Sequence, residues 1–185
     1  MFFAKFFRRF EPAPEATLRL YGTVVAKARD PVFYAGLAVP DTVNGRFDMV
    51  VIHAMLVLRR LRGEGVHADV TGKALLELLF SDMDRSLREM GVGDMGLKHH
   101  IKRMAKAMFG RAQAYEAGLD GEASALIEAL KDNLYRHTQA NADQITRMAD
   151  YLRRAAHHVA GESVAEIIAG NVNLNVPVTG ASHAG

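Results

Sequence analysis

Apolar residues recur every three or four positions along most of the chain, which is the spacing of one face of an α-helix. The predicted helices are, in chain order, Glu15 or Ala16 to Ala28, Gly45 to Arg62, a helix that ends near Met90, Leu97 to about Tyr115, about 121–136, about 141–160, and about 162–169. The helix from Gly45 is apolar nearly all round, so we expect it at the centre of the fold. No stretch reads as a convincing strand. The sequence therefore predicts an all-α, single-domain orthogonal bundle of about six helices.

The sequence GVGDMG at residues 91–96 matches the G-x-G-x-x-G motif of a dinucleotide-binding loop. In such a site the glycines follow a buried strand. Here they follow a helix, since Leu75, Leu79 and Met83 share one helical face. We interpret Gly91 as the residue past the end of that helix, in a left-handed conformation, and the whole segment as a joint between two helices. This argues against a nucleotide enzyme.

The helix after this joint has an apolar face and a basic face. The basic face is made of Lys98, His99, Lys102, Arg103 and Lys106. A solvated surface is the ordinary explanation of such a stripe, and a binding surface for an acidic partner or a phosphate is the alternative.

The first ten residues, MFFAKFFRRF, place an aromatic face opposite a cationic face if they are helical. The aromatic residues are Phe2, Phe3, Phe6, Phe7 and Phe10. They could dock on the protein itself or on a second copy, contact a membrane surface, or belong to a disordered end. A stiff Pro-containing linker follows. We therefore divide the chain into an N-terminal segment and linker at 1–14, a helical domain at 15–170, and a flexible tail at 171–185.

The composition limits the chemistry of the protein. The chain has 185 residues, 49% of them hydrophobic, with 23 basic and 21 acidic side chains and no cysteine. Thiol catalysis and disulfides are excluded, and no apolar run approaches the length of a membrane span. Among the eight histidines, the adjacent pairs at 99–100 and 157–158 diverge on a helix, so no metal site or cofactor is predicted.

Two polar residues lie among apolar neighbours. Asp82 is at the edge of an apolar arc, so we expect partial burial and a cationic or amide partner. At the joint, Asp82, Asp94 and Arg111 are candidate ionic partners. His53 lies on the nearly apolar central helix, where a hydrogen-bonded core histidine is favoured over a pocket-lining one.

Several motifs occur in an order that resembles the ubiquinol-cytochrome c chaperone family. They are Asp30-Pro31-Val32-Phe33-Tyr34, Pro40-Asp41-Thr42 with Gly45-Arg46-Phe47, His53 with Arg59-Arg60-Leu61, Leu79-Phe80-Ser81-Asp82-Met83-Asp84, Leu87 to Asp94, and Met108-Phe109-Gly110-Arg111 with Ala114-Tyr115. The resemblance covers about residues 17–155. Because the N-terminus has no features of an organelle transit peptide, we expect a bacterial member.

The resemblance implies an assembly factor for respiratory complex III and not an enzyme. Mitochondrial members hold newly made cytochrome b near the ribosomal exit. The expected partner is cytochrome b or another complex III subunit, with no DNA partner, in the cytoplasm or peripherally on the inner membrane.

Two sets of residues are candidates for client binding. The first is a groove of Phe33, Tyr34, Asp41, Arg46, Phe47 and His53, and the second is the basic face of Lys98, Lys102, Arg103 and Lys106. Two alternative functions remain open from the residues alone. One is RNA or ribosome binding by the basic face at 98–106, and the other is small-molecule chemistry in the His53 groove.

Overall fold

The computed structural model describes residues 13–89, Gly91 and residues 94–178, with the backbone alone for Leu87 and residues 94–101. These residues form seven α-helices and one π-helical turn, and they contain no strand. The helices are α1 (Glu15–Ala28), α2 (Val43–Leu61), α3 (Val66–Glu89), α4 (Asp94–Asp120), α5 (Ala123–Asp132), α6 (Ala142–Ala160) and α7 (Val164–Ile168). The all-α prediction is confirmed, and each of the seven predicted helical segments has a counterpart, although the predicted bundle was put at about six helices. The aromatic N-terminal segment lies outside the described residues.

Helix α1 ends as predicted, two residues before Asp30. The Asp30 carboxylate accepts a hydrogen bond of 3.1 Å from the backbone N–H of Val32, which opens the π-helical turn Val32–Gly36. This turn directs Phe33 into the core, where it has no exposed surface.

Helix α2 is the central element, as its apolar sequence predicted. It contacts α1, α3, α4 and α6. The Thr42 hydroxyl caps its first turn by accepting from the backbone N–H of Gly45 at 3.1 Å. A side chain at position 45 would not fit, because a Cβ atom there would lie 2.0 Å from the carbonyl oxygen of Pro40. The loop before α2 is therefore packed directly on its first turn.

The joint between α3 and α4 differs in part from its prediction. Gly91 has a φ of +83°, the left-handed conformation expected of a residue past a helix end. However, α4 begins at Asp94, three positions before the predicted Leu97, so Gly96 lies inside the first turn of the helix. An acidic residue is favourable in that turn because of the helix dipole, which explains the earlier start.

The second half of the chain covers the other side of α2. Helix α5 ends at Asp132, earlier than predicted, and the following turn buries Tyr135, whose hydroxyl donates to the carbonyl oxygen of Leu37 at 2.9 Å. Helix α6 begins with a capping box between Asn141 and Gln144.

Part of the predicted flexible tail packs on the body. Residues 171–178 have no regular structure, but Leu174 and Val176 are buried. Arg154 also donates to the carbonyl oxygen of Pro177 at 2.7 Å. The difference from the prediction arises because Leu174 and Val176 are apolar and pack in the core. Residues 179–185 lie outside the described part.

None of the described helices combines the length and the apolar character that crossing a lipid bilayer requires.

Candidate functional site

An open cleft lies between the start of α2, the second half of α3 and the middle of α4. Its volume is about 760 Å³, within the range of about 300 to 1,000 Å³ typical of ligand sites. The apolar part of its lining includes Phe47 and Val50 from α2, Met83 from α3, and Met104 and Met108 from α4. Methionine side chains are flexible and polarizable, so such a lining adapts to occupants of different shape.

Charged side chains surround these apolar residues. Four of them are arginines, namely Arg29, Arg46, Arg103 and Arg111, and two are aspartates, Asp48 and Asp82. The cleft therefore joins parts of the two sets of residues predicted from the sequence, since Arg46 and Phe47 belonged to one set and Arg103 to the other.

An ion pair between Asp48 and Arg111 joins α2 to α4 at the cleft. Asp48 is buried, and Arg111 is one-third exposed. Burial raises the pKa of Asp48 to about 6, although the positive charge of Arg111 and its hydrogen bond act in the opposite direction. The guanidinium holds the carboxylate in place at the cleft.

This pairing corrects the prediction for the joint. Arg111 pairs with Asp48 rather than with Asp82, because Asp48 projects from the central helix towards α4. Asp82 instead accepts from the Tyr21 hydroxyl at 2.9 Å and pairs with Arg85 one turn along α3. The side chain of Asp94 lies outside the described part of the structure.

Asp41 and Arg46 form an exposed ion pair with a contact of 2.6 Å at the start of α2. The hydrogen bond from Arg46 lowers the pKa of Asp41. Nearby, the half-buried Tyr34 donates from its hydroxyl to the carbonyl oxygen of Ala28 at 2.7 Å, and burial raises its pKa. Asp41 and Arg46 are therefore exposed and Tyr34 is half-buried, and of these three residues only Arg46 lines the cleft.

Phe33 and His53 cannot line an open groove, because neither has any exposed surface. Nδ1 of His53 lies 2.8 Å from the carbonyl oxygen of Met49, and Nε2 lies 2.7 Å from the hydroxyl of Tyr151. The ring of Phe33 packs against Tyr151 with the ring centroids 4.9 Å apart. His53 is therefore a hydrogen-bonded core histidine, and the space predicted as a groove is filled by side chains. The small-molecule chemistry considered for that groove has no site there.

The residues of the basic face of α4 whose side chains are described are all exposed. Lys102, Arg103 and Lys106 are exposed, and Arg103 also lines the cleft. The side chain of Lys98 lies outside the described part. One turn beyond Lys106, Phe109 is 46% exposed, and its ring centroid is 6.2 Å from that of Phe80. The face therefore combines cations with one exposed aromatic ring.

Sequence reasoning missed Asp48 as a site residue. A signal existed, since Asp48 interrupts a helix that is otherwise almost entirely apolar, and a buried carboxylate requires a partner. The signal did not identify the partner, which lies 63 positions away. Arg29 and Met104 were also missed, because nothing local to them indicates a cleft formed by distant helices.

The described residues contain no cluster of three or more His, Asp or Glu side chains that could hold a metal ion.

Comparison with known proteins agrees with this structure. The sequence pattern of the ubiquinol-cytochrome C chaperone family matches residues 35–174, about three-quarters of the chain. The chain belongs to the ubiquinol-cytochrome c chaperone family. The family's name describes a chaperone, and its curated relatives are named as assembly factors.

Individual relatives carry names of the same kind. The ubiquinol-cytochrome c reductase complex assembly factor 1 of Mus musculus is 23% identical over 144 residues, which are 78% of this chain and 49% of that protein. The Xenopus laevis protein of that name is 22% identical over 139 residues, 75% of this chain and 70% of the relative. This chain thus spans about half the length of the mouse relative.

A solved structure shows the same fold. The crystal structure of the Cbp3 homolog from Brucella abortus superposes with a TM-score of 0.78 at 34% sequence identity, over 85% of this chain and 87% of that one.

Proposed function

We propose that this protein binds newly made cytochrome b during assembly of the ubiquinol-cytochrome c reductase complex, and that the client docks in the cleft between α2, α3 and α4. The observation that carries this proposal is the combination in one open space of an apolar lining with an arginine rim. The assembly factors among its relatives support the process.

The chemistry of the cleft suits a segment of a membrane protein. Met83, Met104 and Phe47 offer apolar contact to side chains that must be kept from water before the client is assembled. Flexible methionines accept helices of different shape, as amphipathic segments in hydrophobic grooves require. The arginines at the rim exclude a purely apolar occupant and favour one with polar flanks.

A substitution that fills the cleft tests this assignment. Ala107 is exposed and lines the cleft, so Ala107→Trp should obstruct the space without entering the core. Ala117→Trp is the matched control, because Ala117 is exposed on the same helix and is not part of the cleft lining. In a deletion strain, wild type and Ala117→Trp should restore cytochrome b and complex III activity, whereas Ala107→Trp should not. Normal complex III activity in the deletion strain itself would reject the proposed process.

A membrane location belongs to the same proposal. The five phenylalanines and three cations of residues 1–10 have the composition of a segment that lies in the membrane interface. Placing the protein at the bilayer would bring the cleft to a client that is inserted there.

A second candidate function is association with RNA or the ribosome through α4. It is favoured by Lys102 and Lys106, which are exposed and form no ion pair with another described residue. Binding of this kind weakens steeply with added salt. A filter-binding assay should then show RNA retention that falls between 50 and 200 mM salt, on the order of tenfold or more, and that is lost in Lys102→Gln/Lys106→Gln. No retention at low salt would remove this candidate.

A further inference from the structure

The charges that line the cleft do not balance. Asp48 is engaged by Arg111, and the cation paired with Asp82 is Arg85, which is not part of the cleft lining. Both aspartates of the lining therefore already have a cation, so the charge of Arg29 is a positive charge in excess of theirs at the open space. Such an excess attracts an anionic group from a ligand.

Arg29 is the cation best placed to bind that group. It is exposed, lines the cleft, and forms no ion pair within the ranges that the structure describes. Arg46, in contrast, is paired with Asp41. Both arginines lie near enough to Tyr34 for their positive charges to oppose the rise in its pKa.

The position of Arg29 is fixed by its neighbours. The preceding residue, Ala28, is fully buried, and its carbonyl oxygen accepts the hydrogen bond from the Tyr34 hydroxyl. Arg29 itself closes α1, since its backbone N–H bonds to the carbonyl oxygens of Val25 and Ala26. A guanidinium on an anchored backbone loses less freedom when it binds a carboxylate bidentately than one on a mobile loop.

We propose that the cleft selects a client segment in which an acidic side chain lies beside an apolar stripe, with Arg29 binding the carboxylate. This inference rests on the proposed docking of a client in the cleft and adds the chemistry of its recognition. The apolar stripe packs on Phe47, Met83 and Met104, and the carboxylate reaches Arg29 at the rim. A single carboxylate matches the single positive charge of Arg29.

Photo-crosslinking in cells tests the selection. Ser86 lines the cleft and is half-buried, so benzoylphenylalanine in its place should crosslink to a docked client. We expect a crosslink to cytochrome b within one helical turn of an Asp or Glu. Arg29→Gln should lower the yield about tenfold, the loss of one charge-assisted contact. Changing the client's acidic residue to its amide should lower it equally, and combining the two changes should lower it no further.

Two control variants separate the effect of the Arg29 charge from the effect of its bidentate geometry and from the general effect of removing an exposed cation. Arg136→Gln removes an exposed cation whose Nε donates to the carbonyl oxygen of Asp132, outside the cleft, and should leave the crosslink unchanged. Arg29→Lys keeps the charge but not the bidentate geometry, so it should retain an intermediate yield.

The outcomes distinguish this inference from the function on which it rests. If wild type with the probe at Ser86 joins no complex III subunit, client docking in the cleft is wrong. If the crosslink to cytochrome b keeps its yield in Arg29→Gln or with the amide client, docking stands and the acidic selection is wrong. Flotation with phosphatidylglycerol vesicles should be the same for wild type and Arg29→Gln. A loss of flotation in that variant would assign Arg29 to lipid and overturn the inference.

Discussion

His53 and Tyr151 are 98 positions apart in the chain and are joined by a hydrogen bond of 2.7 Å in the core. The carbonyl oxygen of Met49 can only accept, so Nδ1 of His53 carries a proton. Burial lowers the pKa of His53 to about 4, and the ring is therefore neutral at pH 7. Nε2 must then accept from the Tyr151 hydroxyl. This bond ties α6 to the central helix directly beneath Phe33.

Tyr151→Phe should destabilise the fold, because it leaves Nε2 of His53 buried without a donor. We expect a loss of about 1 to 3 kcal/mol in the free energy of unfolding, measured by urea denaturation. In His53→Leu/Tyr151→Phe both polar groups are absent, so the double variant should lose less than the sum of the two single losses. Tyr34→Phe is a control, since the Tyr34 side chain is only half-buried, whereas Tyr151 is fully buried. Equal losses for Tyr34→Phe and Tyr151→Phe, with additive single effects, would contradict the assigned bond.

His53 and Asp48 should give opposite dependences of stability on pH. The lowered pKa of His53 stabilises the fold above about pH 6.5, and this contribution disappears as the pH falls towards 4. Because the pKa of Asp48 is raised in the folded state, Asp48 adds most to the free energy of unfolding below about pH 4. This contribution disappears as the pH rises through 6. Each contribution is about 3 kcal/mol, so they largely offset each other in the wild type between pH 4 and 6.

Substitution of either residue should reveal the pH dependence that the other residue contributes to the free energy of unfolding. Relative to wild type, Asp48→Asn should become more stable as the pH rises from 4 to 6, and His53→Gln should become less stable over the same interval. Urea denaturation at half-unit steps of pH measures both slopes. Parallel curves for wild type and either variant would show that the pKa of the substituted residue is not shifted by folding.

Most of the fold was predictable from the sequence because helical periodicity is a local signal. The spacing of Leu75, Leu79 and Met83 and the apolar character of α2 gave both the class of fold and its central element. Helix ends were less predictable. Helix α5 ends early because Tyr135 reaches Leu37, a contact across 98 positions that no local pattern contains.

Only some of the residues that line the cleft were predictable from the sequence. Arg46, Phe47 and Arg103 were among the candidate residues, but only the packing of α2, α3 and α4 brings them to one space. Phe33 and His53 were assigned to a groove because they belong to the same group of family motifs as Arg46 and Phe47. Side-chain direction decides otherwise, since both point into the core.

Gly45→Ala should test how tightly the loop before α2 packs on its first turn. The added Cβ would lie 2.0 Å from the backbone oxygen of Pro40, so the loop or the helix end must shift. We expect a loss of about 2 kcal/mol in the free energy of unfolding. Gly110→Ala is the matched control, because nothing lies within 4 Å of an added Cβ in the middle of α4. There alanine should stabilise the helix by up to about 1 kcal/mol. Equal effects at both positions would show that the contact with Pro40 relaxes freely.

Removal of residues 1–10 should lower binding to lipid vesicles if these residues contact the membrane interface. The cations at 5, 8 and 9 attract an anionic surface, and each contributes about 1 kcal/mol there. Replacing those three residues by glutamine should therefore reduce flotation with anionic vesicles and leave flotation with neutral vesicles unchanged. Replacing the five phenylalanines by alanine should reduce both, because burial of aromatic surface does not depend on lipid charge. Unchanged flotation after removal of the whole segment would locate any membrane contact elsewhere, and Phe109 with Lys102 and Lys106 on α4 would then be the next surface to substitute.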